Sequence, residues 1–158
     1  MPSLIPGMSG TKEAFGISII NDDRSINIPP KAFKHYGLKN NTIVLLTSTH
    51  VGEGGLSILH KEKAYNSVFK TAIDKIDSLN KTIWDKKRVY TLTKLFDTKI
   101  ILNAELLDTF NLKIGDKLMV VKSTTIAMSY TPIEIWKKKF EDRGLFEAVE
   151  NMKKLKQY

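Results

Sequence analysis

The chain is 158 residues long, 42% hydrophobic and 27% charged, the size and balance of one ordinary domain or of two small ones fused. It contains no cysteine, which excludes a disulfide framework, an iron–sulfur cluster, a thiolate zinc site and a cysteine nucleophile. Its formal charge of +8 favours a polyanionic partner, nucleic acid being the commonest. The three histidines, His35, His50 and His60, fall at no paired-ligand spacing, so no metal site is expected. No apolar run approaches the roughly 20 residues of a membrane span. Met1 to Gly10 has neither a basic n-region nor an apolar h-region, so no signal peptide is expected and the chain reads as cytoplasmic.

Residues 1–13 read as a flexible N-terminus, and Phe15 to Ile20 as a first strand. Ile26 and Ile28 alternate with Ser25 and Asn27, the period of a half-buried strand. Pro29 cannot donate to a ladder and stops that strand, while Pro30 suits the first turn of a short helix that turns Ala32, Phe33 and Tyr36 inward. Gly37 supplies a left-handed cap, Asn41-Thr42 a turn, and Val44 and Leu46 resume the strand alternation. His50 to Leu56 is glycine-rich but lacks the Gly-Lys-Ser/Thr ending of a phosphate loop, and reads as a hairpin turn.

From residue 61 the period changes. Tyr65, Val68, Phe69, Ala72, Ile73, Ile76 and Leu79 carry helical spacing over residues 61–81, and residues 61–87 are expected to form a linking helix. Trp84 and Trp136 read as packing residues, and Val89 to Leu95 as a strand. Thr131-Pro132-Ile133-Glu134 has the form of a capping box, opening a helix that carries Ile133, Trp136 and Phe140 until Gly144 interrupts it. Phe146, Val149, Met152 and Leu155 make a last stripe, for core or subunit packing or for docking another protein; in the latter case the chain would be a protein-interaction, assembly or antitoxin-like module acting through its C-terminal helix.

The strongest signal is an internal repeat at a spacing of 74 residues. Asp23, Ile26, Leu38 and Lys39 are matched by Asp97, Ile100, Leu112 and Lys113, and Asn111 and Gly115-Asp116 stand where Gly37 and Asn41-Thr42 stand in the first copy. The copies are expected to span residues 14–60 and 88–130, with C-terminal helices over 131–158. A unit this small has one apolar face and cannot bury it alone. Two in tandem can complete each other.

The order of these motifs resembles the SpoVT–AbrB group of swapped-hairpin transcription factors, whose pattern runs through an Ile-Pro strand, a Leu-Gly helix end and a Gly-Asp turn into an alternating strand. Ile28-Pro29, Gly37-Leu38 and Thr42-Ile43-Val44 carry the resemblance in the first copy. Leu106, Phe110, Leu112, Gly115-Asp116, Leu118 and Val120 carry it in the second. The doubling, with a helix after each copy, is most similar to the MraZ branch. In place of the usual Asp and Arg before the Ile-Pro strand, the first copy has Asn21 and Ser25, with Arg24 one residue early. The second has Leu95 and Lys99, and Asn103 replaces the proline. The resemblance implies an α+β protein with a mainly β core, a tandem swapped-hairpin barrel of two pseudo-symmetric repeats with flanking helices.

The resemblance further implies a DNA-binding transcriptional regulator, neither an enzyme nor a cofactor protein, that works as a homo-oligomer on double-stranded DNA at the nucleoid. Its cations would come from the turns before the Ile-Pro strands, Arg24 and Lys99. Lys94 and the run Lys86-Lys87-Arg88 would join them, from a segment, residues 61–98, in which nine Lys/Arg face five Asp/Glu. Arg24 suits bidentate pairing with guanine, and the lysines suit phosphates. At the repeat spacing Lys31 and Lys34 fall on Glu105 and Asp108, so one short helix is basic where the other is acidic. Opposite signs would favour head-to-tail association between copies into a ring. No catalytic triad or paired-carboxylate constellation stands out.

Overall fold

The computed structural model describes residues 14–49 and 54–158; the expected N-terminal segment, residues 1–13, and most of the glycine-rich turn, residues 50–53 with His50, lie outside the described residues. Alternating apolar residues form β1 (Ala14–Ile19) and β2 (Ser25–Asn27). Pro29 ends β2, and Pro30 sits in the first turn of α1 (Pro30–His35), where a missing N–H leaves no gap in the helix. Gly37, at φ 65°, turns the chain out of α1, and β3 (Ile43–Ser48) and β4 (Leu56–His60) follow as an antiparallel pair. Then come α2 (Lys61–Tyr65), α3 (Lys70–Asp74) and β5 (Ile83–Asp85). The second series is β6 (Arg88–Lys94), β7 (Lys99–Ile101), α4 (Ala104–Thr109), β8 (Lys117–Lys122) and β9 (Ala127–Pro132), closed by α5 (Ile133–Asp142) and α6 (Phe146–Met152). The architecture is α+β with a mainly antiparallel strand core.

The elements recur at the spacing of the sequence repeat. β2 and β7, α1 and α4, and β3 and β8 each begin and end 74 residues apart. Different residues do the same work at the joints. Asn103 takes the place of Pro29 and caps α4, its side-chain oxygen accepting from Leu106 N–H at 2.8 Å. Asn111, at φ 55°, takes the place of Gly37.

The ladders run mostly between the two series. β1 pairs with β8, β6 with β3, β4 with β9, and β2 with β7. In the β2–β7 ribbon Ile26 lies directly opposite Ile100, its own counterpart, with Ser25 opposite Ile101 and Asn27 opposite Lys99. A pseudo-two-fold axis therefore passes through the Ile26–Ile100 pair. It also passes close to Ser57 and Ser129, opposed on β4 and β9. Seven strands make one sheet in the order β1-β8-β9-β4-β3-β6-β5, and β2 and β7 make the separate ribbon. No ladder among the described residues closes the seven strands on themselves. The expected barrel is thus an open sheet, with β1 and β5 as its outermost strands. Residues 156–158 lie along the free edge of β1, where Ile17 N–H donates to Lys156 O at 2.9 Å and Tyr158 N–H to Ile17 O at 2.8 Å.

The inner face of the sheet and the ribbon enclose the main core, in which Ile26, Ile28, Ile100 and Leu102 of the ribbon region meet Val44, Leu46, Leu118 and Val120 of the sheet. Two smaller cores lie on the outer face. α2 and α3 cover Leu45, Leu59, Tyr90 and Leu92 with Ala64, Ala72 and Ile73, and α5 and α6 cover Ala14, Met119 and Val121 with Phe140, Val149 and Met152.

Three local expectations are corrected. The linking helix over residues 61–87 is two short helices and a strand. Ser67 Oγ donates to Ala64 O at 2.5 Å and accepts from Phe69 N–H at 3.2 Å, and Asn66 donates to Glu62 O, so side chains take backbone groups that a continuous helix needs. Tyr65, Val68 and Leu79 are left exposed. Trp84 does not pack: the alternation of β5 that turns Ile83 toward the α2–α3 core leaves Trp84 66% exposed at the sheet edge. The capping box at Thr131 does not form, because Thr131 is held in β9 opposite Met119, and α5 begins after Pro132 without a side-chain cap.

Ile26→Ala and Ile100→Ala are each expected to lose about 2–5 kcal/mol of stability, as buried isoleucines do when truncated. The double variant should depart from the sum of the two, because the side chains are cross-strand neighbours on one face. Urea unfolding of the parent and the three variants measures both effects.

Candidate nucleic-acid interface

Two tight turns stand at opposite ends of the β2–β7 ribbon. The first joins β1 to β2. Asn21 N–H donates to Ser25 O at 3.0 Å and encloses three residues, Asp22, Asp23 and Arg24, with Arg24 in the left-handed region at φ 66°. A type I turn followed by a left-handed residue is the common three-residue hairpin, and glycine or asparagine is the usual occupant of that last place. The second turn joins β6 to β7. Phe96 and Lys99 exchange backbone bonds around only two residues, Asp97 and Thr98. The one-residue difference shows in the core: Ile20 and Leu95 make corresponding bonds, Ile20 N–H to Asp116 O and Leu95 N–H to Thr42 O, at a spacing of 75 rather than 74.

The first turn is internally braced. Ser25 N–H and Ser25 Oγ–H donate to Asp23 Oδ1 at 2.9 and 2.6 Å, and Asn21 Nδ2 donates to Ser25 O and Oγ. The Ser25 hydroxyl and amide, with Lys99 adding attraction, hold the Asp23 carboxyl below the usual carboxylate range. Asn27, Ser25, Asp23 and Lys99 line a shallow depression on the outer face of the ribbon. Lys99 reaches it from the neighbouring strand, its ammonium also 5.9 Å from the centre of the Phe96 ring.

The six expected cations do not form one patch. Arg24, Lys94 and Lys99 lie in or beside the turns, with Lys94 at the end of β6 opposite Ile43. Lys86 and Lys87 form the β5–β6 turn, and Arg88 opens β6. The seven residues of β6 put Arg88 roughly 20 Å from Lys94. Arg88 borders instead a cavity on the outer face of the sheet. Asp22, Asp23 and Asp97 share the turns with the three remaining cations, so charge there is balanced locally.

Sequence reading passed over Asn27, Phe96 and Ile101. All three are at least partly exposed, Phe96 and Ile101 by half or more. Asn27 was legible as the polar member of the β2 alternation. Ile101 was not, since Lys99-Ile100-Ile101-Leu102 shows no clean alternation, and only the ribbon pairing shows which isoleucine faces out. Lys31 and Lys34 on α1 and Glu105 and Asp108 on α4 are all exposed. The last stripe is used at home: Val149, Met152 and Leu155 pack on the sheet, and only Phe146 stands out, at 64% exposed.

Among the described residues no group of His, Asp or Glu is placed to hold a metal ion, and no helix is long and apolar enough to cross a membrane. No family model matches the chain, and neither the curated proteins nor the solved structures contain a match.

Proposed function

We propose that the chain is a DNA-binding regulator of transcription with the swapped-hairpin architecture of the SpoVT–AbrB group. One arrangement carries this reading: a two-stranded ribbon centred on a pseudo-dyad, with a tight turn at each end and Arg24, Asn27 and Lys99 on or beside its open face. The major groove of B-DNA admits a two-stranded ribbon, and arginine and asparagine are the side chains that pair bidentately with guanine and adenine. The exchange of strands between the two series, β1 onto β8 and β6 onto β3, is the connectivity that swapped hairpins would produce. The +8 charge of the chain supplies long-range attraction, and Lys94 and Lys99 would neutralise phosphates.

Arg24 separates function from folding. A glycine suits φ 66° better than an arginine does, so Arg24→Gly removes the guanidinium without straining the turn. In anisotropy titrations of a labelled duplex, Arg24→Gly should lose about 1–3 kcal/mol of sequence discrimination with its unfolding midpoint unchanged or raised. Asp22→Asn should tighten binding by removing a carboxylate from the same turn. With about three phosphate contacts per copy, from Arg24, Lys94 and Lys99, the log of affinity should fall with the log of salt at a slope near −3 for each copy bound, and Lys99→Gln should reduce that slope by about one. Absence of binding at low salt would refute the reading.

We further propose that copies associate head-to-tail through the basic face of α1 and the acidic face of α4. The support is that the two helices occupy corresponding places, so that Lys31 and Lys34 on one correspond to Glu105 and Asp108 on the other. Lys31→Glu with Lys34→Glu should lower the mass seen by sedimentation equilibrium, and adding Glu105→Lys with Asp108→Lys should restore it. An unchanged mass in the first variant would remove the idea.

A further inference from the structure

The end of the pseudo-dyad away from the ribbon meets the outer face of the sheet. There Thr47, Ser57, Ser129 and Val121 stand in one row across β3, β4, β9 and β8, each directly opposite the next. Apolar residues fill the outer face on both sides, under α2–α3 and under α5–α6; Val121 lies under α5–α6, and Thr47, Ser57 and Ser129 belong to neither apolar cluster. A cavity of about 320 Å³ opens over it, at the lower end of the range for small-molecule sites. Its described lining is rich in hydroxyls and includes Arg88 and Lys139, with no carboxylate.

Two buried polar atoms of this lining, Thr47 Oγ1 and Trp136 Nε1, have no hydrogen-bond partner among the described residues. Thr47 is 2% exposed. A buried group left without a partner is destabilising, and native proteins seldom retain one without a reason. The repeat offers a comparison within the same chain. Seventy-four residues after Thr47, at the corresponding place on β8, stands Val121, nearly the same shape without the hydroxyl. The corresponding place is thus filled without a hydroxyl where α5 and α6 cover it, and with one where they do not. The buried indole N–H only donates and so calls for an acceptor, and the Thr47 hydroxyl and the exposed Arg88 guanidinium can both donate to the same one.

We propose that this cavity binds a small oxyanion-bearing solute, a carboxylate or a phosphate, whose oxygens accept from Trp136 Nε1, Thr47 Oγ1 and the Arg88 guanidinium. The site is independent of the DNA-binding reading, since it lies on the opposite face of the sheet and uses none of Arg24, Asn27 and Lys99.

The test uses the full chain, with inorganic phosphate and succinate as separate probes and sodium chloride holding the ionic strength constant. At least one probe should raise the unfolding temperature saturably and change the Trp136 emission of a Trp84→Phe chain, whose remaining tryptophan is then Trp136 alone. A response to phosphate alone assigns a phosphate ligand, and a response to succinate alone a carboxylate. Thr47→Val, which repeats the residue found at Val121, should fold, should raise the unfolding temperature without a probe, and should weaken probe binding about tenfold, the scale of one lost buried hydrogen bond. Arg88→Gln should weaken it likewise. The proposal is overturned if neither probe acts beyond chloride, or if the response survives undiminished in both variants.

Discussion

The pairing of Ile26 with Ile100 is the constraint on which the molecule depends. Each isoleucine is fully buried, each is the counterpart of the other, and each strand is only three residues long. Strands so short gain little from their own hydrogen bonds and form because the ribbon seals an apolar face that neither series can cover alone. The same necessity sends β1 to β8 and β6 to β3, so that most of the sheet is built between the series. The two turns are consequently fixed relative to each other through one core, and a rigid spacing between them is what a groove-binding ribbon requires.

A scaffold of two related halves makes its asymmetries informative. Pro29 and Asn103 differ in chemistry but both end a strand and start a helix, and Gly37 and Asn111 both take a left-handed turn. Those pairs are alternative solutions to one local problem. Other pairs have no such account. Arg24 occupies a left-handed place in a turn one residue longer than its counterpart, Thr47 keeps a buried hydroxyl where Val121 has a methyl group, and α1 is basic where α4 is acidic. The differences that folding does not demand fall at the ribbon turn, over the outer cavity and on the two short helices.

Charge is organised by the fold more than by the sequence order. Lys86, Lys87 and Arg88 are near Lys94 along the chain, yet an extended strand carries them to the other end of the sheet. Near the ribbon, carboxylates and cations are interleaved, and Asp23 bonds its own turn, not a distant partner. Any selectivity at this face would come from the placement of a few side chains, since a broad positive field is lacking there.

The sequence by itself determined the repeat, its 74-residue spacing, the strands around Ile26 and Ile100, the Pro30 helix start and the Gly37 turn. Each of these follows from local periodicity or from a backbone preference that a residue carries wherever it stands. Side-chain competition at Asn66 and Ser67 was also local, but it acts against a strong apolar period, and the period alone suggested one long helix. The exposure of Trp84, the open sheet with residues 156–158 along its β1 edge, the separation of Arg88 from Lys94, and the meeting of Thr47 with Trp136 over one cavity were decided only by tertiary structure. They depend on which strand lies beside which, and contacts between residues far apart along the chain leave no period in it.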